Sequence, residues 1–139
     1  MKKVLTVGVF DLLHWGHFEL FRRAKELAGS DGRLIVAIQL DDAVTKYKPN
    51  VRLIYPWKKR VKMIEALRCV DKVVPYGEID VSIKDIDFDL FAMGEDQNHD
   101  GFKRAAQWCA ENNKEVVRLR RTEGISSTQI RNMDVMNVK

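Results

Sequence analysis

The chain has little cysteine, proline or histidine: its 139 residues include two cysteines, three prolines and three histidines. Cys69 and Cys109 belong to no CxxC pattern. This excludes a dense disulfide framework and favours a cytoplasmic protein with two unreactive thiols. The longest apolar runs, such as residues 34–38 (LIVAI), are far shorter than a membrane span. We therefore expect no membrane partner, and we interpret the N-terminal segment as a first strand and not as a signal peptide.

Several nucleotide and catalytic motifs are also absent. The sequence has no GxxxxGK[ST] phosphate loop, no GxGxxG dinucleotide motif, no serine elbow and no Cys/His nucleophile arrangement. The net charge of +4, from 24 basic and 20 acidic residues, is too small and too scattered to predict nucleic-acid binding. It suits a site for a small polyanion. No linker composition divides the chain, so we expect one domain over residues 1–139.

Short β-branched runs alternate with helical patterns along the chain. Strands are predicted at residues 3–9, 33–40, 71–76, 89–94 and 115–120. Helices are predicted from about residue 16, from Pro56, around residues 81–86, across residues 101–112 and around residues 126–132, with a loop over residues 41–55. This order predicts an α/β fold, with a parallel five-stranded sheet and helices on both faces.

Ligands of such sheets bind beyond the carboxyl ends of the strands. That rule selects three loops, at residues 9–16, 94–101 and 121–127, all rich in glycine and polar residues. In the first loop, GVFDLLHWGH (residues 8–17) places His14 and His17 at a predicted helix start, where backbone N–H groups favour an anion. The alternative is that one histidine caps the helix while the other packs. A zinc pair would need a third ligand, and none is nearby in sequence.

The loop RTEGISST (residues 121–128) is a second strand-to-helix junction. By itself it is a good helix N-cap. Together with the first loop, it offers hydroxyls, amides and a guanidinium for a second phosphate group. Transfer of a phosphoryl or nucleotidyl group to a phosphate oxygen needs no protein nucleophile, because positioning and neutralisation of charge by Lys, Arg, His and Mg²⁺ suffice.

These two segments together resemble the two signatures of the cytidylyltransferases, most of all the bacterial glycerol-3-phosphate enzymes. The resemblance extends over nearly the whole chain and includes RCVDKVVP (residues 68–75) and FAMGED (residues 91–96). It implies a Rossmann-like nucleotidyltransferase fold. It also implies transfer of CMP from CTP to a small phosphorylated alcohol, with release of pyrophosphate and with Mg²⁺ or another divalent cation. A homodimer is the expected assembly.

The resemblance also implies roles for individual residues. The catalytic residues are then His14, His17, Lys46 and Arg121. The nucleotide-binding residues are Gly8, Val9, Phe10, Asp11, Gly16, Gly94, Glu95, Asp96, Arg121, Thr122, Gly124, Ile125, Ser126, Ser127 and Thr128. Acceptor contacts are expected from Lys48, Arg60, Arg68, Gln97 and His99.

Several of these roles have alternatives. Either Lys46 or Lys48 is the catalytic lysine, and Asp11 either lies near the metal or only organises its loop. For Arg60 and for Arg68, a purely structural role is as consistent with the sequence as contact with the acceptor. Glu95 and Asp96 are also suited to capping the following helix.

Three departures from the glycerol-phosphate enzymes leave the acceptor open. Val9 replaces a threonine, and residues 97–104 and 46–60 differ from that pattern in length or composition. The possible acceptors are glycerol phosphate, another polyol phosphate, a phosphoethanolamine-like compound and a phosphorylated glutamine. Two other functions compete with cytidylyl transfer. One is adenylyl transfer within the same superfamily, and the other is a non-catalytic nucleotide-sensing or RNA-binding module.

Overall fold

A computed structural model of the chain describes residues 1–120, and its centre is a five-stranded parallel sheet. The strands are β1 (Lys3–Gly8), β2 (Arg33–Gln39), β3 (Lys72–Tyr76), β4 (Leu90–Gly94) and β5 (Glu115–Leu119). Their order in the sheet is β3-β2-β1-β4-β5, and every pairing is parallel. The α/β fold predicted from the alternating pattern is confirmed. The switch in strand order falls at β1, which lies between β2 and β4.

Helices cover both faces of the sheet. They are α1 (Trp15–Ala28), α2 (Asp41–Tyr47), α3 (Trp57–Glu65), α4 (Ile79–Ser82), which continues into a short 3₁₀ turn (Ile83–Asp85), and α5 (Asp100–Glu111). Phe21 of α1 and Ile64 of α3 are buried with Val4 on one face. Phe102 of α5 is buried with Leu5 on the other. Successive residues of β1 thus serve two cores, as expected for a strand covered on both faces.

The structure corrects two details of the sequence-based prediction. Residues 41–55 are not wholly a loop, because α2 occupies the first half of that segment. The three-residue steps of Phe18, Phe21, Ala24 and Leu27 predict that these residues share the buried face of α1. Phe18 does not belong to that face, since the residue is 39% exposed; the buried residues of the helix are Phe21, Ala24 and Ala28. The predicted helix at residues 126–132 lies outside the described residues. No helix within residues 1–120 is long and apolar enough to cross a bilayer.

Candidate active site

A cavity of about 1020 Å³ opens at the carboxyl ends of the strands. Its wall includes the turn after β1, the end of α2, the segment after β3, the loop after β4 and the end of β5. This is the position at which doubly wound sheets bind ligands. The volume is at the upper end of the range for small-molecule sites.

His14 and His17 lie in this wall, at the start of α1. His14 is the N-cap, and its Nδ1 accepts a hydrogen bond from the backbone N–H of Gly16 at 3.0 Å. Nδ1 of His17 accepts from the backbone N–H of His14 at 3.3 Å. A neutral imidazole whose Nδ1 accepts carries its proton on Nε2. Helix capping and ligand binding are therefore compatible here, because each function uses a different ring nitrogen.

The two imidazole rings are stacked, with centroids 3.9 Å apart and planes 23° from parallel. Burial, and secondarily the neighbouring His14, lower the pKa of His17 to about 3. His17 is therefore neutral at physiological pH and acts as a hydrogen-bond donor, not as a cation. A neutral donor fixed at a helix N-terminus suits a phosphate oxygen that gains charge during a reaction.

The turn between β1 and α1 is built around Phe10. Its backbone φ is +53°, an uncommon value for a bulky residue, and its ring packs edge-on against His17 with centroids 5.3 Å apart. A Cβ on Gly8 would lie 2.7 Å from the tip of the Phe10 ring. Glycine at position 8 therefore lets the aromatic ring lie under the strand end and support His17.

Asp11 organises the neighbouring loop. Its side chain lies in the cavity wall but is almost buried, since the residue is 2% exposed. The two carboxylate oxygens accept from the backbone N–H groups of Ile54 and Tyr55 at 2.7 and 2.8 Å. These bonds hold the segment before α3 and fit the loop-organising alternative, while a place for Asp11 near the metal stays a prediction. Residues 1–120 contain no group of three or more His, Cys, Asp or Glu side chains placed to hold a metal ion.

The prediction that Arg60 contacts the acceptor is wrong. Arg60 of α3 is 0% exposed, and its guanidinium donates to the carbonyl oxygens of Val9, Gln39 and Tyr55 at 2.8–3.1 Å. It also pairs with the carboxylate of Asp41. The rigid fork of an arginine satisfies all of these acceptors at once. Arg60 therefore fixes the ends of β1 and β2 and does not reach the ligand.

The prediction for Arg68 is also wrong. Arg68 follows α3 and precedes β3, which places it at the amino ends of the strands, opposite the cavity. It is absent from the cavity wall. Its basic side chain is exposed and takes no part in the site described here.

The structure separates the two candidate lysines. Lys48 lies in the cavity wall just after α2. Lys46 does not; its Nζ is paired with the carboxylate of Glu78 at 2.7 Å, and this contact raises the pKa of Lys46. A catalytic role for Lys46 stays a prediction, but Lys48 is the lysine that faces the cavity.

The loop after β4 supplies the wall on the α5 side. The side-chain amide of Gln97 connects this loop to β1. It accepts from the backbone N–H of Gly94 at 3.0 Å and donates to the carbonyl oxygen of Val7 at 2.8 Å. Gly94, Asp96 and His99 line the cavity, whereas Glu95 does not. His99 is the N-cap of α5, so the expected capping by Glu95 or Asp96 does not occur.

Most of the chain matches a family model. Residues 5–133 match the model described as cytidylyltransferase-like. The chain belongs to the cytidylyltransferase-like family. It is 39% identical to glycerol-3-phosphate cytidylyltransferases of Staphylococcus aureus and of Bacillus subtilis, over 94% of this chain and 93% and 95% of theirs. It is also 36% identical to an FAD synthase of Methanopyrus kandleri, over 78% of this chain and 71% of that protein. The chain is therefore an enzyme of the cytidylyltransferase family, as the two signatures indicated.

Solved structures show the same fold. A lipopolysaccharide core biosynthesis protein of Thermoplasma volcanium superposes with a TM-score of 0.69 at 25% identity, over 90% of this chain and 99% of that one. A protein of Archaeoglobus fulgidus, 20% identical, superposes with a TM-score of 0.65 over 91% of this chain and 93% of that one. The nucleotidyltransferase fold predicted from the resemblance is confirmed.

Part of the site of this cytidylyltransferase lies outside the described residues. The predicted ligand groups there are Arg121, Thr122, Gly124, Ile125, Ser126, Ser127 and Thr128, and their roles stay predictions. Within residues 1–120, sequence reasoning missed nine polar or aromatic residues of the cavity wall. They are Gln39, Tyr47, Tyr76, Glu78, Asp80, Asp100, Phe102, Arg104 and Arg120. Glu78 and Asp80 carry a usable signal, because they directly follow a predicted strand at its carboxyl end.

Proposed function

We propose that this cytidylyltransferase transfers a cytidylyl group from CTP to a small phosphorylated acceptor and releases pyrophosphate. The observation that carries the proposal is the pair of imidazoles at the start of α1. Both rings use Nδ1 for the backbone, and both lie in the wall of one cavity. The match to the family and the names of the relatives support CTP as the nucleotide and glycerol 3-phosphate as the first acceptor to test.

The reaction needs no covalent intermediate with the protein. An oxygen of the acceptor phosphate attacks the α-phosphorus of CTP and forms a new P–O bond. The bond from the α-phosphorus to the oxygen bridging to the β-phosphorus breaks, and its electron pair leaves with pyrophosphate. His14 and His17 donate from Nε2 to phosphate oxygens on which charge increases, so they stabilise the transition state more than the bound substrates.

Other residues of the site neutralise charge and hold the substrates in position. Lys48, together with Arg121 of the second signature, is suited to the remaining phosphate charge. Mg²⁺ fits this site when it is held mainly by the triphosphate, because Asp11, a carboxylate of the cavity wall in the same turn as His14, is engaged by two backbone N–H groups. When bound, the ion supplies further neutralisation of the triphosphate charge.

The nucleotide can be tested by thermal shift. CTP is expected to raise the melting temperature far more than ATP or GTP at matched Mg²⁺, and the difference should grow with ligand concentration. The phosphate contacts cannot distinguish bases, so selectivity comes from groups that contact the base edge near Gly94 and Asp96 and in residues 121–125. An unpaired buried polar group costs about 1–3 kcal/mol, which gives roughly tenfold or better discrimination. Equal shifts with CTP and ATP would favour adenylyl transfer, the alternative kept open by the FAD synthase relatives.

The acceptor can be tested by pyrophosphate release with CTP and Mg²⁺. The panel contains glycerol 3-phosphate, a second polyol phosphate, phosphoethanolamine and a phosphorylated glutamine. Stabilisation by CTP without pyrophosphate release from any of them would favour the non-catalytic module.

We also propose a cytoplasmic homodimer, from the resemblance to the family. Trp15 and Phe18, which are 63% and 39% exposed on α1, give apolar surface for such an association. Light scattering that finds a monomer at micromolar concentration would contradict the dimer.

A further inference from the structure

We infer that His99 is a specificity-determining residue, whose Nε2–H donates a hydrogen bond to the phosphorylated acceptor. The inference rests on the proposed cytidylyl transfer. It names a residue that contacts the acceptor and says which of the two groups donates the hydrogen bond. His99 lies in the cavity wall at the start of α5. Sequence reasoning placed it near the acceptor only by its position in a divergent loop. The structure adds the orientation of its ring.

The ring nitrogens of His99 have distinct roles. Nδ1 accepts from the backbone N–H of Gly101 at 3.0 Å, so the neutral ring carries its proton on Nε2. A Cβ at position 101 would lie 2.8 Å from Cε1 of the imidazole. Glycine at position 101 therefore permits the close approach of the imidazole to the first turn of α5, and Nδ1 is the nitrogen that this contact uses.

Two neighbouring rings fix the plane of the imidazole. The ring of Tyr47, at the end of α2, is 11° from parallel to that of His99, with centroids 6.1 Å apart. The ring of Phe102 lies 4.5 Å from it on α5, tilted by 53°. His99 is thus an exposed side chain in a defined orientation, which lowers the entropy lost when it binds a ligand.

The arrangement repeats the one at the start of α1. There, His14 accepts from Gly16 at 3.0 Å, two residues on, as His99 accepts from Gly101. The two helices pack on opposite faces of the sheet, α1 with one core and α5 with the other. The cavity therefore has an Nε2–H donor on each side of the strand ends. Because the α1 side is assigned to the nucleotide, the α5 side is where the second substrate binds.

The groups around His99 suit a ligand rich in oxygen atoms. Arg104 pairs with Asp80 at 2.8 Å, and Lys46 pairs with Glu78 at 2.7 Å. Arg104, Asp80 and Glu78 belong to the same cavity wall as His99, so donors and acceptors lie side by side on it. Lys46 lies outside the wall and compensates the charge of Glu78. Oxygen atoms of an esterified phosphate or of a hydroxyl can bond to such a wall without leaving a charge unpaired.

The test separates recognition from capping. In His99→Asn, the shorter side chain still accepts from the N–H of Gly101, since asparagine is a good N-cap, but it lacks the Nε2–H. In His99→Ala, both functions are lost. The matched control is Asn98→Ala, an exposed neighbour that is absent from the cavity wall. The assay measures pyrophosphate release with CTP and the member of the acceptor panel that the wild type uses best, together with the melting temperature and its shift with CTP.

His99→Asn is expected to raise the KM for the acceptor about tenfold, the loss of one hydrogen bond, while the KM for CTP, the CTP shift and the melting temperature stay near wild type. His99→Ala should show the same change in KM and a lower melting temperature. A wild-type acceptor KM in His99→Asn would overturn the inference and leave cytidylyl transfer standing. A rise in the KM for CTP instead would overturn it as well, because the ring would then face the nucleotide. No pyrophosphate release by the wild type with any acceptor would overturn both proposals.

Discussion

The rings of His14 and His17 lie 3.9 Å apart at the first turn of α1, and each accepts a backbone N–H through Nδ1. The two side chains thus cap the start of α1 and also lie in the wall of the cavity. Each imidazole accepts from one backbone N–H at the start of α1. The hydrogen bonds that cap the helix therefore also fix which ring nitrogen, Nε2, can donate to a ligand.

His17→Ala should lower kcat by about 10²-fold, the usual effect of removing one transition-state donor. His17→Gln should recover part of that loss, because glutamine at this position also accepts the N–H of His14 and carries an amide donor. Steady-state kinetics of the two variants, with circular dichroism to confirm folding, checks this. Turnover of folded His17→Ala close to that of the wild type would contradict the assigned role.

The buried, neutral state of His17 predicts a dependence of stability on pH. Its pKa is about 3 in the folded chain, against about 6.5 for an ordinary histidine side chain. Between these values the unfolded chain binds more protons, so stability falls as pH drops from about 6.5 toward 3, by at most about 1.4 kcal/mol per pH unit. Above about pH 7 this contribution is constant. Urea unfolding of the wild type and of His17→Gln between pH 4 and 8 isolates it. Parallel curves for the two proteins would show that His17 does not cause it.

Arg60 connects the ends of β1 and β2, the start of α2 and the segment before α3 through buried hydrogen bonds. Its replacement should therefore lower the free energy of unfolding. Arg60→Met leaves the carbonyl oxygens of Val9, Gln39 and Tyr55 and the carboxylate of Asp41 without this partner. We expect a loss of about 3–5 kcal/mol in the free energy of unfolding, and lower activity because Val9 adjoins the histidine turn. The control is Lys59→Met, an exposed neighbour on α3, which should change stability little. Equal effects of the two substitutions would contradict the structural role of Arg60.

Periodicity was sufficient to predict the sheet, because β1 and β2 are continuous apolar runs and α5 has a clear apolar face. It missed α2, whose only buried residue is Val44, so the segment has no repeating apolar pattern. The histidine site was predictable because a helix start after a buried strand is a local feature. The role of Arg60 was not. In the sequence it belongs to a basic helix, and only the tertiary fold brings its four acceptors together.

Thr6 in β1 has an unsatisfied hydroxyl. The residue is 0% exposed, and its Oγ1 has no hydrogen-bond partner among residues 1–120. Thr6→Val keeps the shape and the β-branched side chain while removing the polar atom, so it should raise the free energy of unfolding by about 1 kcal/mol. The control is Thr45→Val in α2, where the hydroxyl donates to the carbonyl oxygen of Asp42 at 3.0 Å and no gain is expected. The denaturation midpoint should rise for Thr6→Val with an unchanged m-value. A lower midpoint would contradict the prediction.

The two lysines near α2 should differ in their effect on catalysis. Lys48 lies in the cavity wall, whereas the ammonium group of Lys46 is paired with Glu78. We expect Lys48→Met to lower kcat/KM for CTP by about 10²-fold, as for loss of a cation on the triphosphate, and Lys46→Met to lower it less than about tenfold.

Glu78→Gln supplies the matched comparison for Lys46. If Lys46 acts only by holding α2 against Glu78, then Lys46→Met, Glu78→Gln and the double variant should all have similar kinetics, because each removes the same ion pair. Additive losses in the double variant would show that Lys46 also acts without Glu78. A larger loss from Lys46→Met than from Lys48→Met would return the catalytic role to Lys46. In that case the Lys46–Glu78 ion pair must open when the nucleotide binds.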